Sequence, residues 1–165
     1  MSKEIEHKFL VRNHDYRNLA DGTHYRQGYI PTLNGMTVRA RIAGDKGYLT
    51  LKDHASGLSR NEFEYEIPLD EVTQILDLMC SQPQIEKLRY VIPAGRGVKD
   101  DGTCTEELYW EVDEFLGDNE GLTIAEIEVP EEGVRFDLPD WIAEEVTGDK
   151  KYYNSMLCLK PYKNW

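Results

Sequence analysis

The sequence predicts a mainly β protein of the α+β class: an eight-stranded antiparallel closed barrel, or tunnel, with a charged lumen and a few helices packed outside. Charged and apolar side chains alternate along most of the extended segments. Short turns join these segments, which favours antiparallel neighbours. Eight such strands can close on themselves and so remove their exposed edges. The length of 165 residues suits a single domain over residues 1–165.

Five strands are predicted in the first part of the chain. Their approximate bounds are residues 4–11, 24–30, 36–43, 48–53 and 60–67. The pair Asn34-Gly35 between the second and third strands is a strong hairpin signal. The polar stretch before the turn at Asp21-Gly22 has room for a short helix.

A helix is predicted after the fifth strand. Pro68 ends the strand, and Asp70 is a candidate N-cap. Apolar residues then recur at helical spacing, namely Val72, Ile75, Leu76 and Met79. The face that they share needs an apolar surface to pack on.

Three further strands are predicted in the rest of the chain, over residues 86–92, 108–115 and 122–129, with a Gly-rich charged loop over 93–105. A second helix is predicted over about 139–147, because Trp141, Ile142 and Val146 have helical spacing. Pro139 lies near its start and Gly148 just past its end, as is usual for helices. Residues 150–159 suggest a last short helix.

Composition narrows the class of protein. The net charge of −12 argues against non-specific binding to nucleic acid or to an anionic membrane. The three cysteines are too far apart in sequence for a zinc motif and show no disulfide framework, so we expect ordinary thiols in a reducing compartment. The N-terminus lacks the apolar run of a signal peptide, and no stretch is long enough to cross a bilayer as a helix. We therefore expect a cytoplasmic protein with no nucleic-acid and no membrane partner.

Charge is concentrated on one face of nearly every predicted strand. Side chains in a strand alternate between two faces, so the opening residues Glu4, Glu6 and Lys8 share one face. The second strand is weaker, since Arg26 and Gln27 fall on opposite faces. The other charged faces carry Arg39 and Arg41; Thr50 and Lys52; Glu62, Glu64 and Glu66; Lys87 and Arg89; Glu111 and Asp113; and Glu126 and Glu128.

Two arrangements fit this alternation. The usual arrangement for antiparallel sheets in water places the charges outside and an apolar core inside. The inverted arrangement lines a wide lumen with the charges and turns the apolar face outward, under helices. Two observations favour the inverted barrel: aromatic residues such as Phe63, Tyr65 and Trp110 are large for the interior of an eight-stranded barrel, and the amphipathic helices need an apolar outer surface to cover.

A charged lumen predicts a particular chemistry. Carboxylates brought close together raise each other's pKa unless cations neutralise them, and oxygen ligands suit hard cations such as Mg²⁺ or Mn²⁺. Arginine and lysine side chains match phosphate oxygens. The pattern therefore predicts a site for a short, highly charged polyphosphate. The alternative, ion pairs serving stability alone, is energetically poor for so many buried charges.

The motifs resemble those of the CYTH superfamily, the triphosphate tunnel metalloenzymes. The opening Glu4-x-Glu6-x-Lys8 is that family's signature, and the resemblance covers nearly the whole chain in order. It continues through Gln27-Gly28-Tyr29, Val38-Arg39-Ala40-Arg41, Leu49-Thr50-Leu51-Lys52, Glu62-Phe63-Glu64, Lys87-Leu88-Arg89-Tyr90, Trp110-Glu111-Val112-Asp113 and Ala125-Glu126-Ile127-Glu128.

The resemblance implies roles for individual residues. The implied metal ligands are Glu4, Glu6, Glu126 and Glu128, with Asp113, Glu62 and Glu64 as supporting acids. The implied substrate cradle, which also stabilises the transition state, is Lys8, Arg39, Arg41, Lys52, Lys87 and Arg89. Glu128 or Glu6 would orient the attacking water. The segment 149–157 would flank one tunnel mouth, where Lys150 or Lys151 would reach a phosphate.

The implied activity is hydrolysis of inorganic triphosphate to pyrophosphate and orthophosphate, with Mg²⁺ or Mn²⁺ as cofactor and a small-molecule triphosphate as substrate. The compact chain is most similar to the short bacterial tripolyphosphatases of that superfamily. Two alternatives stay open: a class IV adenylate cyclase, and a non-catalytic polyphosphate or nucleotide sensor. A homodimer also stays open, because Tyr152, Tyr162 and Trp165 near the C-terminus suit either an interface or a simple tail.

Overall fold

The computed structural model describes residues 5–53 and 61–165. Glu4 and Arg60, which the sequence assigned to the first and fifth strands, lie outside the described residues. The strands are β1 (Ile5–Val11), β2 (Thr23–Ile30), β3 (Thr37–Ala43), β4 (Lys46–Lys52), β5 (Glu62–Ile67), β6 (Ile85–Val98), β7 (Cys104–Phe115), β8 (Thr123–Val129) and β9 (Ile142–Glu145). The helices are α1 (Leu69–Leu78) and α2 (Asn154–Leu159), with short 3₁₀ turns at Asp15–Asn18, Gly117–Asn119, Lys150–Tyr152 and Tyr162–Asn164.

The strands of the described ranges join one nine-stranded sheet in the order β5-β4-β3-β2-β6-β7-β8-β1-β9. Every pairing is antiparallel. Hairpins connect β2 through β5 in sequence order, and the pairings β2–β6 and β1–β8 bring distant parts of the chain together. The predicted mainly β, antiparallel fold class is confirmed. Within the described residues, β5 and β9 are the two edge strands of this sheet.

The predicted helix over 139–147 is wrong. Ile142–Glu145 forms β9, which pairs with β1 through Val11 opposite Ile142 and Phe9 opposite Glu145. The backbone nitrogen of Val146 donates to the carbonyl oxygen of Lys8 at 2.8 Å, which extends this edge. Trp141 and Ile142 are buried where this strand begins, and Val146, just after its end, packs against a second apolar cluster, so the three apolar residues only imitate helical spacing.

The predicted loop over 93–105 is also largely wrong. β6 continues to Val98 and β7 begins at Cys104, so the two strands form one long hairpin. Register shifts between Pro93 and Gly95 and between Arg96 and Val98 accommodate the proline and glycine residues that normally interrupt a strand. Val98 also exchanges two backbone hydrogen bonds of 2.9 Å with Arg135.

Helix α1 covers part of the outer face of the sheet, as its apolar spacing predicted. Val72 and Leu76 are fully buried there against Ala40 on β3. Gly47 permits this close approach, because an added Cβ would overlap Val72 Cγ1 and lie 3.0 Å from the carbonyl oxygen of Ile67. Asp70 lies in the first turn, and the N-cap position is occupied by Pro68.

A larger apolar cluster covers the outer face of β1, β6, β7 and β8. Phe9, Trp110 and Trp141 are buried in it, with ring centroids 5.5 Å apart for Phe9 and Trp110 and 5.8 Å apart for the two tryptophans. Aromatic side chains therefore lie on the outer face, as the inverted barrel requires. Phe63 and Tyr65 also lie on the outer face, but they remain exposed. Neither helix in the described ranges combines the length and apolarity needed to cross a membrane.

Candidate active site

The inner face of the sheet encloses a polar cavity of about 610 Å³. Side chains from all of β1 to β8 line it, so the curved sheet forms the predicted charged lumen. The predicted site residues that line it are Glu6, Lys8, Arg39, Arg41, Lys52, Glu62, Glu64, Lys87, Arg89, Glu126 and Glu128. Glu4 lies outside the described residues, and Asp113 lies behind the lining side chains.

Strand register sets acids beside bases on the β1–β8 side of the cavity. Glu6 is opposite Glu128 and Lys8 is opposite Glu126. The Nζ atom of Lys8 lies 2.7 Å from Glu126 Oε1 and 3.2 Å from Glu6 Oε1. Burial opposes the charge of Lys8, but Glu126 and Glu6 together raise its pKa above the usual range. This lysine is therefore held as a cation between two carboxylates.

Glu6 is the carboxylate most affected by crowding. Burial, and next the neighbouring carboxylate of Glu126, raise the pKa of Glu6 to about 7, although Lys8 acts in the opposite direction. Burial acts on Glu126 in the same way, but Lys8 lowers the pKa of Glu126 below its usual value. One proton or one cation near this pair relieves the repulsion.

Asp113 lies among the bases of the cradle. It is only 1% exposed, and its Oδ2 lies 2.8 Å from Lys87 Nζ. Its two oxygens also accept hydrogen bonds from Arg89 at 2.8 and 2.9 Å. Both oxygens therefore contact cations, and Asp113 anchors two bases of the cradle.

Lys87 and Arg89 are buried cations held by this aspartate. Burial lowers the pKa of Lys87 to about 8, with Asp113 opposing that shift. Burial also disfavours the charge of Arg89, but Asp113 outweighs it, so the pKa of Arg89 rises. Arg89 forms a second ion pair with Glu111. Both cations are thus fixed in position on the inner face of β6.

Arg39 and Arg41 on β3 are less completely paired. Their Nη2 atoms lie 3.7 and 3.2 Å from Glu64 Oε1. The Nε atoms of both arginines are buried and have no hydrogen-bond partner among the described residues. Burial, and next the positive charges of Arg39 and Arg89, lower the pKa of Arg41. This side of the cavity therefore has an excess of positive charge, which an anion would neutralise.

The start of α2 borders the cavity, as the resemblance implied for this segment. Tyr153, Asn154 and Ser155 contribute to the lining. Lys87 Nζ donates to Asn154 Oδ1 at 3.1 Å, and Lys8 Nζ lies 5.4 Å from the centre of the Tyr153 ring. Lys151 instead lies over the rings of Trp165 and Tyr152, away from the cavity lining.

Comparison with known proteins agrees with this geometry. The profile of the CYTH domain matches residues 2–156. The chain belongs to the CYTH domain family. An inorganic triphosphatase of Acetivibrio thermocellus is 52% identical over 165 residues, which cover 100% of this chain and 99% of that protein. An inorganic triphosphatase of Nitrosomonas europaea is 35% identical over 161 residues, covering 94% and 97% of the two chains.

Two solved structures also match most of this chain. The crystal structure of the inorganic triphosphatase NE1496 has a TM-score of 0.64 and 30% identity, and the match covers 96% of each chain. A putative adenylate cyclase of Bacillus halodurans has a TM-score of 0.54 at 18% identity, over 79% of this chain and 82% of that one. This second likeness shows a shared fold and leaves the reaction open.

Several cavity residues of this CYTH chain were not among the predicted site residues. They are Tyr25, Gln27, Tyr29, Thr37, Val91, Tyr109, Glu111, Tyr153, Asn154 and Ser155. Glu111 was identifiable, because it alternates with Asp113 on the charged face of its strand. Tyr29 and Tyr153 lie in segments that the resemblance covers, whereas Tyr25 and Tyr109 carried no signal, since an aromatic residue in a strand more often packs in a core.

The acidic side of the cavity fits a hard divalent cation by its donor chemistry. Glu6, Glu126, Glu128 and Glu111 supply only oxygen donors, which Mg²⁺ and Mn²⁺ prefer. Burial, and then the charges of Glu111 and Glu62, raise the pKa of Glu128, so these carboxylates also crowd one another. In the described part of the chain no three acidic, histidine or cysteine side chains converge closely enough to form a preassembled metal cage.

Proposed function

We propose that this protein hydrolyses inorganic triphosphate to pyrophosphate and orthophosphate inside the cavity, with Mg²⁺ or Mn²⁺ as cofactor. The observation that carries the proposal is the separation of charge in one enclosed space. On one side Arg39 and Arg41 share the carboxylate of Glu64, which leaves an excess of positive charge, and crowded carboxylates lie on the other. A short polyanion with a bound cation satisfies both sides at once.

The cradle is proposed to hold the three phosphoryl groups. Arg39 and Arg41 offer forked donors that match phosphate oxygens, and Arg89 is fixed by Asp113. Since these cations are already in place, they stabilise negative charge on the transferring group without reorganising. Water adds to the terminal phosphorus, the phosphoanhydride bond breaks, pyrophosphate leaves, and the water's proton passes to solvent.

The acidic wall is proposed to serve the cofactor and the water. Glu6 and Glu126 are the best placed ligands, with Glu128 beside them and with Glu62 and Glu64 as supporting acids; Glu4 remains part of this proposal from the sequence. A bound divalent cation would neutralise phosphate oxygens and acidify a coordinated water. Glu128 or Glu6 would orient the attacking water by accepting a hydrogen bond from it.

The relatives support the choice of substrate. The Acetivibrio thermocellus and Nitrosomonas europaea proteins are both inorganic triphosphatases, and the match spans nearly the full length of each. The three cysteines of this chain are free thiols, which agrees with a reducing compartment and supports a cytoplasmic location. The nine strands within the described residues share one sheet, which supports a single domain over residues 1–165.

The test is a measurement of products from tripolyphosphate, ATP and pyrophosphate, each with Mg²⁺, Mn²⁺ or EDTA. We expect metal-dependent release of orthophosphate and pyrophosphate from tripolyphosphate, at a rate well above that with ATP. Cyclic AMP and pyrophosphate from ATP would instead establish the cyclase. Tight binding of tripolyphosphate with no turnover under any of these conditions would establish the sensor, and either result would overturn the proposal.

A further inference from the structure

Tyr25 on β2 lies at the centre of the cationic side of the cavity. Its ring centroid is 4.9 Å from the guanidinium carbon of Arg89 and 5.4 Å from that of Arg41. The Nζ atom of Lys87 lies 5.9 Å from the same centroid. All these distances fall within the range of about 6 Å at which a cation is attracted to an aromatic ring.

Strand register explains why one ring contacts cations from two strands. Tyr25 pairs with Lys87 on β6 and with Ala43 on β3. Arg89 and Arg41 each lie two residues along from those partners, so they are the diagonal neighbours of Tyr25 on the inner face. Diagonal neighbours in a sheet are within reach of aromatic and long side chains.

The three cations need such a contact because they repel one another. Lys87 and Arg89 share the carboxylate of Asp113, Arg89 also pairs with Glu111, and Arg41 shares Glu64 with Arg39. The electron-rich ring of Tyr25 adds attraction at a place where a further carboxylate would repel the substrate.

We propose that Tyr25 is a positioning residue, whose ring holds Arg41, Lys87 and Arg89 in the arrangement that receives the phosphoryl groups. This inference rests on the proposed function, because it concerns the same cavity and the same anion. Tyr25 thus contributes to anion binding through its ring, although its hydroxyl is the only group of the side chain that can hydrogen-bond to phosphate. The ring keeps the cations in place when no anion is bound and so reduces the reorganisation that binding requires.

The test measures equilibrium binding of tripolyphosphate by calorimetry in EDTA, together with kcat and KM in Mg²⁺. We expect Tyr25→Leu to raise the dissociation constant and KM by roughly tenfold and to change kcat less. Tyr25→Phe retains the ring and should stay within about twofold of wild type. Tyr65→Leu, on the exposed outer face of β5, is the matched control and should change neither constant.

A graded series of ring-fluorinated variants keeps the inference testable if Tyr25→Leu does not fold. Replacing Tyr25 by phenylalanine with increasing ring fluorination keeps the shape of the side chain and weakens the attraction of the ring for cations. We expect the dissociation constant for tripolyphosphate to rise steadily with the number of fluorines.

Two results would overturn the inference. A dissociation constant that does not change along the fluorine series would show that the ring does not act through the cations. Tighter binding by Tyr25→Leu would show that the ring blocks the site. Binding by the wild type without hydrolysis would refute the proposed function and leave this inference testable, because its main measurement needs no turnover.

Discussion

Asp113 shows how one buried carboxylate organises two cations. The resemblance to the CYTH superfamily implied that Asp113 is a supporting acid of the metal site, and alternation placed Asp113 on the same charged face as Glu111. The structure instead places Asp113 behind the lining, in contact with Lys87 and Arg89. Alternation identifies the face on which a side chain lies, but it does not reveal which neighbour will neutralise it. That depends on the β6–β7 register, in which Arg89 is opposite Asp113.

Removing this carboxylate should destabilise the protein. Asp113→Ala leaves two buried cations without their shared partner, so we expect a loss of about 3–5 kcal/mol in the free energy of unfolding. Urea denaturation followed by far-ultraviolet circular dichroism measures it. Asp118→Ala breaks an exposed pair with Lys163 and should cost less than about 1 kcal/mol. Equal effects of the two substitutions would contradict the role assigned to Asp113.

Glu6 should make the stability of the metal-free protein depend on pH. Its pKa is raised from 4.5 to about 7 in the folded chain, so the folded state binds this proton more tightly than the unfolded state does. The resulting stabilisation is fully present below the unfolded value of 4.5 and is lost as the pH rises through about 7. A bound cation would reverse the trend, because it favours the deprotonated carboxylate.

Thermal unfolding in EDTA over a pH series tests this expectation. The melting temperature of the wild type should fall more steeply between about pH 5 and pH 8 than that of Glu6→Gln, which cannot titrate at this position. Glu66→Gln, an exposed residue paired with Lys46, should follow the wild type. Parallel pH curves for wild type and Glu6→Gln would show that Glu6 does not titrate in this range.

The elements that were predicted wrongly from the sequence are those whose structure depends on pairing with strands far away in the chain. β9 is four residues long and exists because β1 offers it an edge, more than 130 residues away in sequence. The far end of the β6–β7 hairpin contains Pro93, Gly95 and Gly97, which disfavour a strand when read locally. By contrast, the hairpin at Asn34-Gly35 and helix α1 were predictable, because turn residues and helical spacing are local signals.

The contact between α1 and the sheet depends on Gly47. We expect Gly47→Ala to reduce the free energy of unfolding by about 1–3 kcal/mol, because the added methyl group overlaps Val72 and displaces the helix. A double-mutant cycle with Val72→Ala checks the cause, since shortening Val72 makes room for the methyl group. The two losses should then be less than additive. Simple additivity would mean that Gly47 matters for another reason.

The overall arrangement was predictable because it follows from a repeated pattern. Charged residues on one face of successive strands, with large aromatic residues on the other, predicted the inverted sheet. The same pattern gave most of the residues that line the cavity. The pattern did not predict the tyrosines of the cavity lining or the ion pairs within the lumen. Both depend on strand register and on which side chains meet across the cavity.

The most direct measurement of the proposed activity compares a substitution of an arginine inside the cavity with a substitution of an arginine outside it. Orthophosphate release from tripolyphosphate with Mg²⁺ is measured for wild type, Arg41→Gln and Arg96→Gln, after each is shown to be folded. Arg41 lines the cavity, whereas Arg96 lies on the far part of the β6–β7 hairpin, outside the lining. We expect kcat/KM to fall by roughly 100-fold or more for Arg41→Gln and to be unchanged for Arg96→Gln. Equal activity of all three proteins would contradict hydrolysis in this cavity.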